Sequence, residues 1–364
     1  MKTFLKALMV IVSLSSTGHA GSTEKDGKAE FIEALKGFKK AWAAEDREAA
    51  FDFAERAYDL SQELYGEGTK YQYFATKQFA MAQDRHGHRD EAIKFYLEAL
   101  EDGEQIYDVN GPELFDIYFA LSALYSSSHE HASAEKYLSR AEKVYEESFP
   151  DDLLVKADIL NLRAKAYFYE GKAKAAEKNY LQVHDIYEKE YGKDHPQTYM
   201  PYFFLAKIHM ARKDYDKARE LLEPANEVFR KTLPPRNTVL MASHAFLVEI
   251  YEKLEQPDKA TEHCVAIAEA KPNDTVDSYK PIFRGVPAYP VNMARSGREG
   301  YVILEFTIDE AGMVKDIRVL EGAKGFKKAA VESAKRWRFA PAIKDGKPVA
   351  THIVNHKITF ELVR

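Results

Sequence analysis

One period governs most of this chain. Alanine stands at Ala50, Ala92, Ala134, Ala176, Ala218 and Ala260, each 42 residues after the last. A second column, Tyr65, Tyr107, Phe149, Tyr191 and Leu233, keeps the same step. So does a third, mostly small: Ala80, Ser122, Ala164, Ala206 and Val248. Three residues beyond it come Tyr125, Tyr167, His209 and Tyr251. Chance does not hold a phase through several columns at once. The pattern means one supersecondary unit, repeated and stacked, because no single unit can bury its own apolar face.

Two helices are legible in each unit. "ILNLRAKAYFYEG" places small and apolar residues at helical spacing and stops at Gly171. "KAAEKNYLQVHDIYEKEYG" is a second amphipathic stretch, stopped at Gly192. "DHPQ" then restarts the pattern, with Asp194 placed to cap and Pro196 tolerated in the first turn. The small columns let paired helices approach, and the aromatic columns are expected to fill the gaps between repeats. The expectation is an all-α solenoid of about six units over residues 28–270.

The small-x-x-aromatic spacing followed by the alanine column resembles tetratricopeptide repeats. The 42-residue period and "YGKDHPQT" are similar to the longer kinesin-light-chain variety. The resemblance implies protein or peptide binding in a concave groove, and no catalysis. The repeat phase points Lys77, Phe119, Asn161 and Phe203 inward, together with Met81, Ala123, Lys165 and Lys207. Asn161, Lys165 and Lys207 are of a chemistry that holds a peptide backbone or carboxylate. A merely solvated face is the competing reading.

After Lys271 the repeat stops. "KPNDTVDSYKPI" is polar and holds two prolines, so residues 271–280 read as a linker. Period two follows. In "GYVILEFTID", Val302, Leu304, Phe306 and Ile308 alternate with Tyr301, Ile303, Glu305 and Thr307, the mark of a strand with one apolar face. "DEAG" is a hairpin turn. "MVKDIRVLEG" returns with Met313, Ile317 and Val319 on one face. "FKKAAVESAKRWRF" is a helix with a Phe326, Ala330, Ala334, Trp337 stripe, ended by Pro341. "KDGKP" is a turn. A long final strand follows, Thr351 to Val363, with Val354, Ile358, Phe360 and Leu362 as its inner row. The order is β–β–α–β over residues 281–364, small for a domain that folds alone.

This stretch resembles the TonB C-terminal domain. The features that carry the resemblance are Tyr289-Pro290, Gly297, Glu299-Gly300, the alternating strand, Asp309, Gly312, Ala329-Ala330, Trp337-Arg338-Phe339, Pro341, Gly346 and Pro348-Val349. The resemblance implies a periplasmic domain of a Gram-negative bacterium that grips the TonB box of TonB-dependent outer-membrane transporters. It further implies force passed on from the inner-membrane ExbB and ExbD proteins, directly or through another protein. Strand addition supplies a physical mechanism, because an edge strand offers unpaired N–H and C=O groups to an extended peptide. The final strand is the expected edge, through Thr351, Ile353, Val354, Asn355, Lys357 and Thr359, with Asn355 and Thr359 pointing outward. In the family the stretch before the Tyr-Pro pair also touches the peptide, which here is Arg284 to Tyr289.

The first 20 residues, "MKTFLKALMVIVSLSSTGHA", read as a secretory signal peptide. Lys2 and Lys6 precede an apolar run from Ala7 to Leu14, and Gly18 and Ala20 occupy the small positions of a cleavage site. The stretch from Phe4 to Leu14 is 11 residues, against the roughly 20 a spanning helix needs. The chain therefore departs from the TonB pattern in having neither a spanning anchor nor a long Pro-rich stretch. Ser15 and His19 match the Ser-x-x-x-His spacing of a TonB anchor by chance.

Charge divides along the same boundary. Residues 281–364 carry 15 Lys/Arg and 9 Asp/Glu, net +6, in a chain of net −6, which leaves −12 for residues 1–280. The acidic part repels phosphate and the basic part is only modestly charged, so neither suits nucleic acid. His86 with His88, and His129 with His131, fall in turns between paired helices. Cys264 shares a column with Tyr96, Leu138, Tyr180 and Leu222 and reads as core. No P-loop, His-Glu-x-x-His, Gly-x-Ser-x-Gly or dinucleotide fingerprint occurs. The expectation is a non-enzyme with no cofactor and no metal. It is a TonB-like periplasmic protein that binds transporter peptides while its solenoid recruits a protein partner. The alternative is a periplasmic scaffold that binds envelope proteins without energy transduction.

Overall fold

The computed structural model describes residues 22–270 and 280–362. The signal-peptide reading, most of the 271–280 linker and Val363 lie outside the described residues. Fourteen α-helices occur among the described residues. The first twelve pair as α1 (Ser22–Ala43) with α2 (Arg47–Leu64), α3 (Lys70–His86) with α4 (Arg89–Ile106), and α5 (Phe115–Ser127) with α6 (His131–Ser148). The series continues with α7 (Leu153–Tyr169) and α8 (Ala173–Tyr191), α9 (Pro196–Ala211) and α10 (Tyr215–Thr232), and α11 (Thr238–Lys253) and α12 (Pro257–Ala270). This is a tetratricopeptide-like solenoid. The chain divides into two compact units, Met1–Glu190 and Tyr191–Arg364. The division falls within the repeats because a solenoid is held by contacts between neighbours only. Helices α9–α12 therefore share a unit with the C-terminal domain.

The small columns lie where paired helices meet. Ala50, Ala92, Ala134, Ala176, Ala218 and Ala260 open the second helix of every pair, and all are buried. Ala80, Ser122, Ala164, Ala206 and Val248 are buried on the first helices. In the third pair the two columns touch: Ser122 Oγ donates to the Ala134 carbonyl at 2.8 Å. Interior packing is dense enough that a larger side chain at these positions would force the helices apart.

The aromatic column acts between repeats and also within them: Tyr65 stacks on Tyr71 of α3 with ring centroids 4.3 Å apart, and Tyr191 on His195 at 4.7 Å. Tyr65, Tyr107 and Phe149 sit at the C-caps of α2, α4 and α6. Each folds back onto an aromatic of the first helix of its own pair. The ring centroids are 5.2 Å apart for Tyr65–Phe31, 5.3 Å for Tyr107–Tyr73 and 5.2 Å for Phe149–Phe115. The column thus closes each helical hairpin at its open end. The α9 start differs from expectation. His195, not Asp194, is the cap, its Nδ1 accepting from the Gln197 N–H at 3.2 Å, and Pro196 follows at the first helical position.

The C-terminal domain packs one helix on a small sheet. It comprises α13 (Val291–Arg295), β1 (Gly300–Ile308), β2 (Val314–Gly322), α14 (Lys324–Ala334), β3 (Ala342–Lys344), β4 (Lys347–Val349) and β5 (Thr351–Phe360). The antiparallel sheet runs β2-β1-β5, and β3-β4 is a separate hairpin. Val302, Leu304, Phe306 and Ile308 of β1 are fully buried, as alternation requires. At about 1.5–3 kcal/mol for each buried side chain, this central strand contributes substantially to the domain's stability. Phe326, Ala330 and Ala334 of α14 cover it, joined by Trp337 and Phe339.

Four details differ from the sequence reading. Helix α14 ends at Ala334, ahead of Trp337, whose ring still reaches the core beyond the helix end. The "KDGKP" turn joins a short hairpin of its own, with Asp345 and Gly346 both at positive φ, as a two-residue type I′ turn needs. On β2, Val314 takes the inner place assigned to Met313, because Asp316 at φ 51 accompanies a register shift that flips the facing. On β5 the same happens at Asn355, at φ 60. Ile353 is buried, whereas Val354, placed in the inner row by alternation, is 49% exposed.

The β1–β2 turn is tightly specified. Asp309 Oδ1 accepts from the N–H groups of Ala311 and Met313, at 3.0 and 2.8 Å. Gly312 sits at φ 74, where a Cβ would lie 2.1 Å from the Phe339 carbonyl oxygen. The Phe339 N–H in turn donates to the Gly312 carbonyl at 2.9 Å. Only glycine fits both the angle and the space.

Candidate functional site

Among the described residues, strand β5 pairs with β1 alone, so one edge of it has no strand neighbour there. The Leu362 N–H turns back to Glu299 Oε1 at 2.9 Å, toward the β1 side. Main-chain direction alternates along a strand, so the N–H groups of Thr359 and Lys357 point away from β1. Their side chains are exposed, and the Lys357 ammonium lies 4.5 Å from the centroid of the Tyr301 ring. Of the six residues read from sequence, Lys357 and Thr359 best fit an accessible edge. Val354 and Asn355 are exposed at the bulge, Thr351 is half-buried at the strand start, and the Ile353 side chain belongs to the core.

Arg284 lies within a strap, residues 282–286, that runs over the end of α14, and Tyr289 follows it. Ile282 N–H donates to the Arg338 carbonyl at 2.7 Å, and Arg338 N–H donates to the Phe283 carbonyl at 2.9 Å. The Gly285 carbonyl accepts from Trp337 Nε1 at 3.1 Å and also from the Ser333 hydroxyl. The Arg284 guanidinium lies 5.3 Å from the Trp337 ring centroid. Tyr289 donates its hydroxyl to the Arg298 carbonyl at 2.6 Å and packs its ring edge-on against Phe326 and Phe360. Arg284 is exposed, while Tyr289 braces the start of the domain. Burial and the nearby Arg284 hold the His356 imidazole, at the Trp337 ring, below its usual pKa.

Sequence reasoning missed how this domain is held. Arg338 is 2% exposed, and its guanidinium reaches across to the last helix pair. Nε donates to Glu252 Oε1 at 2.6 Å, Nη1 to Thr261 Oγ1 at 3.3 Å, and Nη2 to the Pro257 carbonyl at 3.4 Å. Lys253 lies 5.5 Å from the Phe283 ring centroid. Between α11 and the strap is a cavity of about 350 Å³, bordered by Glu249, Lys253, Phe283, Arg284, Val286 and Arg336. No local signal marks Arg338 for this role, because Glu252 is 86 residues away.

The repeat-groove residues divide. Lys77 is 3% exposed and pairs with Asp116 at 3.4 Å, so it is not available to line a groove. Burial works against its ammonium, yet Tyr73 and Asp116 keep its pKa above the usual lysine value. Phe203 is also buried, tilted against Phe246 at 5.4 Å. Met81 is buried as well. Asn161 donates to the Tyr187 hydroxyl at 3.0 Å, and Phe119 packs half-buried beside the core. Lys165 is exposed, and Lys207 is half-buried with its ammonium 5.8 Å from the Phe204 ring centroid.

His86, His88 and the cysteine have structural places. His86 and His88 bond to the Arg47 carbonyl and to Gln83 Oε1. Cys264 is buried, and burial pushes its thiol up to about 12, which makes it a poor nucleophile. A further buried pair was not foreseen. His244 Nδ1 and His263 Nδ1 lie 2.7 Å apart across α11 and α12. Among the described residues no group of three or more His, Cys, Asp or Glu is placed to hold a metal ion. Among them, too, no helix is long and apolar enough to cross a membrane.

Residues 286–362 match the family described as Gram-negative bacterial TonB protein C-terminal. Residues 87–147 and 156–231 match the tetratricopeptide repeat. Neither family is enzymatic. Protein TonB of Vibrio cholerae serotype O1 is 35% identical over 78 residues, which is 21% of this chain and 32% of that protein. Protein TonB of Pseudomonas aeruginosa is 37% identical over 73 residues, 20% of this chain and 21% of that protein. The matched stretch thus spans a third or less of either relative. The crystal structure of the apo form of RapI is similar in fold, with a TM-score of 0.52 at 15% identity, over 71% of this chain and 79% of that one. The chain thus carries a C-terminal stretch that matches the TonB C-terminal domain, preceded by a region that matches tetratricopeptide repeats.

Proposed function

We propose that the protein works in the periplasm of a Gram-negative bacterium, where its C-terminal domain takes the TonB box of a TonB-dependent outer-membrane transporter by strand addition to β5. The repeat region recruits a protein partner through its groove, with Lys165 and Lys207 as polar contacts. That partner connects the chain to the ExbB/ExbD-type complex. No step of this work is catalytic. The observation that carries the reading is the unpaired β5 edge, in a domain that matches the TonB C-terminal family. Main-chain bonds along such an edge supply affinity with little dependence on side chains.

The test is binding of a synthetic TonB-box peptide to the full chain. Asn355 is unsuitable for proline, because its φ of 60 opposes the −65° that proline imposes. Thr359→Pro removes an outward N–H without that conflict and should abolish binding, while Thr359→Ala should change it by less than about 1 kcal/mol. Trp337 fluorescence checks that both variants stay folded. Equal loss from both would mean side-chain recognition. Undiminished binding by a folded Thr359→Pro would refute strand addition at β5.

A further inference from the structure

The cavity between α11 and the 282–286 strap is unusual in its charges. Lys253, Arg284 and Arg336 border it, and among the described residues none of the three has a carboxylate within ion-pairing distance. Each is instead propped by an aromatic face or a carbonyl. Lys253 lies by Phe283, Arg284 by Trp337, and Arg336 Nη2 donates to the Val286 carbonyl at 3.4 Å. Among the residues that border it, Glu249 is the one carboxylate, and Glu332 acts on Arg336 from α14. Phe283 and Val286 add apolar wall, and Val286 is 80% exposed. An inorganic anion has no use for that wall, whereas a peptide side chain carrying a carboxylate on a short alkyl stem uses both parts.

We propose that this cavity is a carboxylate-binding site built jointly by the repeat region and the C-terminal domain, and that its ligand is an acidic residue of the incoming transporter peptide. The proposal rests on the reading of the C-terminal domain as a peptide-binding module, and it adds a selectivity element supplied by a tetratricopeptide helix. The Arg338 contacts to Glu252, Thr261 and Pro257 hold Lys253 in place relative to Arg284 and Arg336. The site is therefore formed before the peptide arrives, and little ordering cost is left for binding. Its cations are exposed, so the selectivity weakens with salt.

The test compares two peptides on the full chain by fluorescence anisotropy at low salt. One is a TonB-box peptide flanked by glutamates, and the other has glutamine at the same places. The wild type should prefer the glutamate peptide at least tenfold, and Lys253→Glu should bring the ratio close to one. Arg336→Gln should lower the ratio part of the way. Equal affinity of the wild type for both peptides would overturn the proposal. So would a preference that survives Lys253→Glu and Arg336→Gln. Thr359→Pro separates the two readings. Loss of both peptides supports the β5 edge, and a glutamate preference retained in Thr359→Pro supports the cavity while removing the edge.

Discussion

Replacing Arg338 by methionine keeps most of the stem and removes the guanidinium. The structure sets the size of the effect. Three donor contacts are lost, one of them to a carboxylate at 2.6 Å. Removing one member of a buried ion pair typically costs about 3–5 kcal/mol, because the other charge is left without compensation. Here the Glu252 side chain keeps 16% exposure, so water relieves part of that penalty. The expected loss is therefore near the lower end, about 3 kcal/mol. Glu252→Gln leaves a neutral acceptor and should cost less, and the double variant should lose less than the sum of the two single losses, since both changes disrupt one interaction. The chain has two tryptophans, Trp42 and Trp337. In a Trp42→Phe background, urea unfolding followed by Trp337 fluorescence reports on the domain that Arg338 anchors. Additive losses in the double variant, or a loss below about 1 kcal/mol in Arg338→Met, would refute the reasoning that this contact fastens the domain to α11 and α12.

Gly312→Ala should destabilise the same domain by about 3 kcal/mol or more, read by Trp337 fluorescence, since the new Cβ meets the Phe339 carbonyl at a left-handed φ. Ala164→Leu should cost about 1–3 kcal/mol by overpacking a buried helix crossing, measured as loss of helical circular dichroism at lower urea. The His244–His263 pair predicts acid sensitivity. Burial and Arg230 push His244 down to about 4, and burial with the His244 charge pushes His263 down to about 3. Both lie below the unfolded value near 6.5, so their contribution is complete above that pH and is lost as pH falls toward 4. Between pH 7 and 5 the loss is on the order of 2 kcal/mol per imidazole, and His263→Gln should flatten the pH dependence of the urea midpoint.

The repeat was legible because six alanines at one spacing report a contact that recurs in every unit. Burial of all six follows from the same close approach of paired helices. The strand β1 was legible for a similar reason, since it is paired on both sides and alternation decides which side chains are buried. Its neighbours were read correctly only as far as their bulges. Asp316 and Asn355 each adopt a positive φ and flip the facing of the residues around them. A lone Asp or Asn in a strand tolerates that conformation but does not demand it, so the period-two count carried straight through both.

The candidate site was legible only in its local part. The strand edge and the strap are continuous segments, and both could be named from the residues that compose them. What the sequence left hidden depends on charges far apart in the chain. Lys77 and Asn161 hold equivalent places in the repeat, yet Lys77 is buried against Asp116, 39 residues on, while Asn161 stays half-buried and bonds to the Tyr187 hydroxyl. Phase reports which face a residue occupies, and the identity of its neighbours decides whether that face is open. Arg338 makes the same point more sharply. It stands between two core aromatics, Trp337 and Phe339, where a cation has no local justification. Burying it is tolerable only because Glu252, Thr261 and the Pro257 carbonyl meet its donors. A domain tethered by a free linker would have no need of such a residue. Its presence argues that the C-terminal domain is fastened to α11 and α12 by a specific buried contact and not by chain connectivity alone.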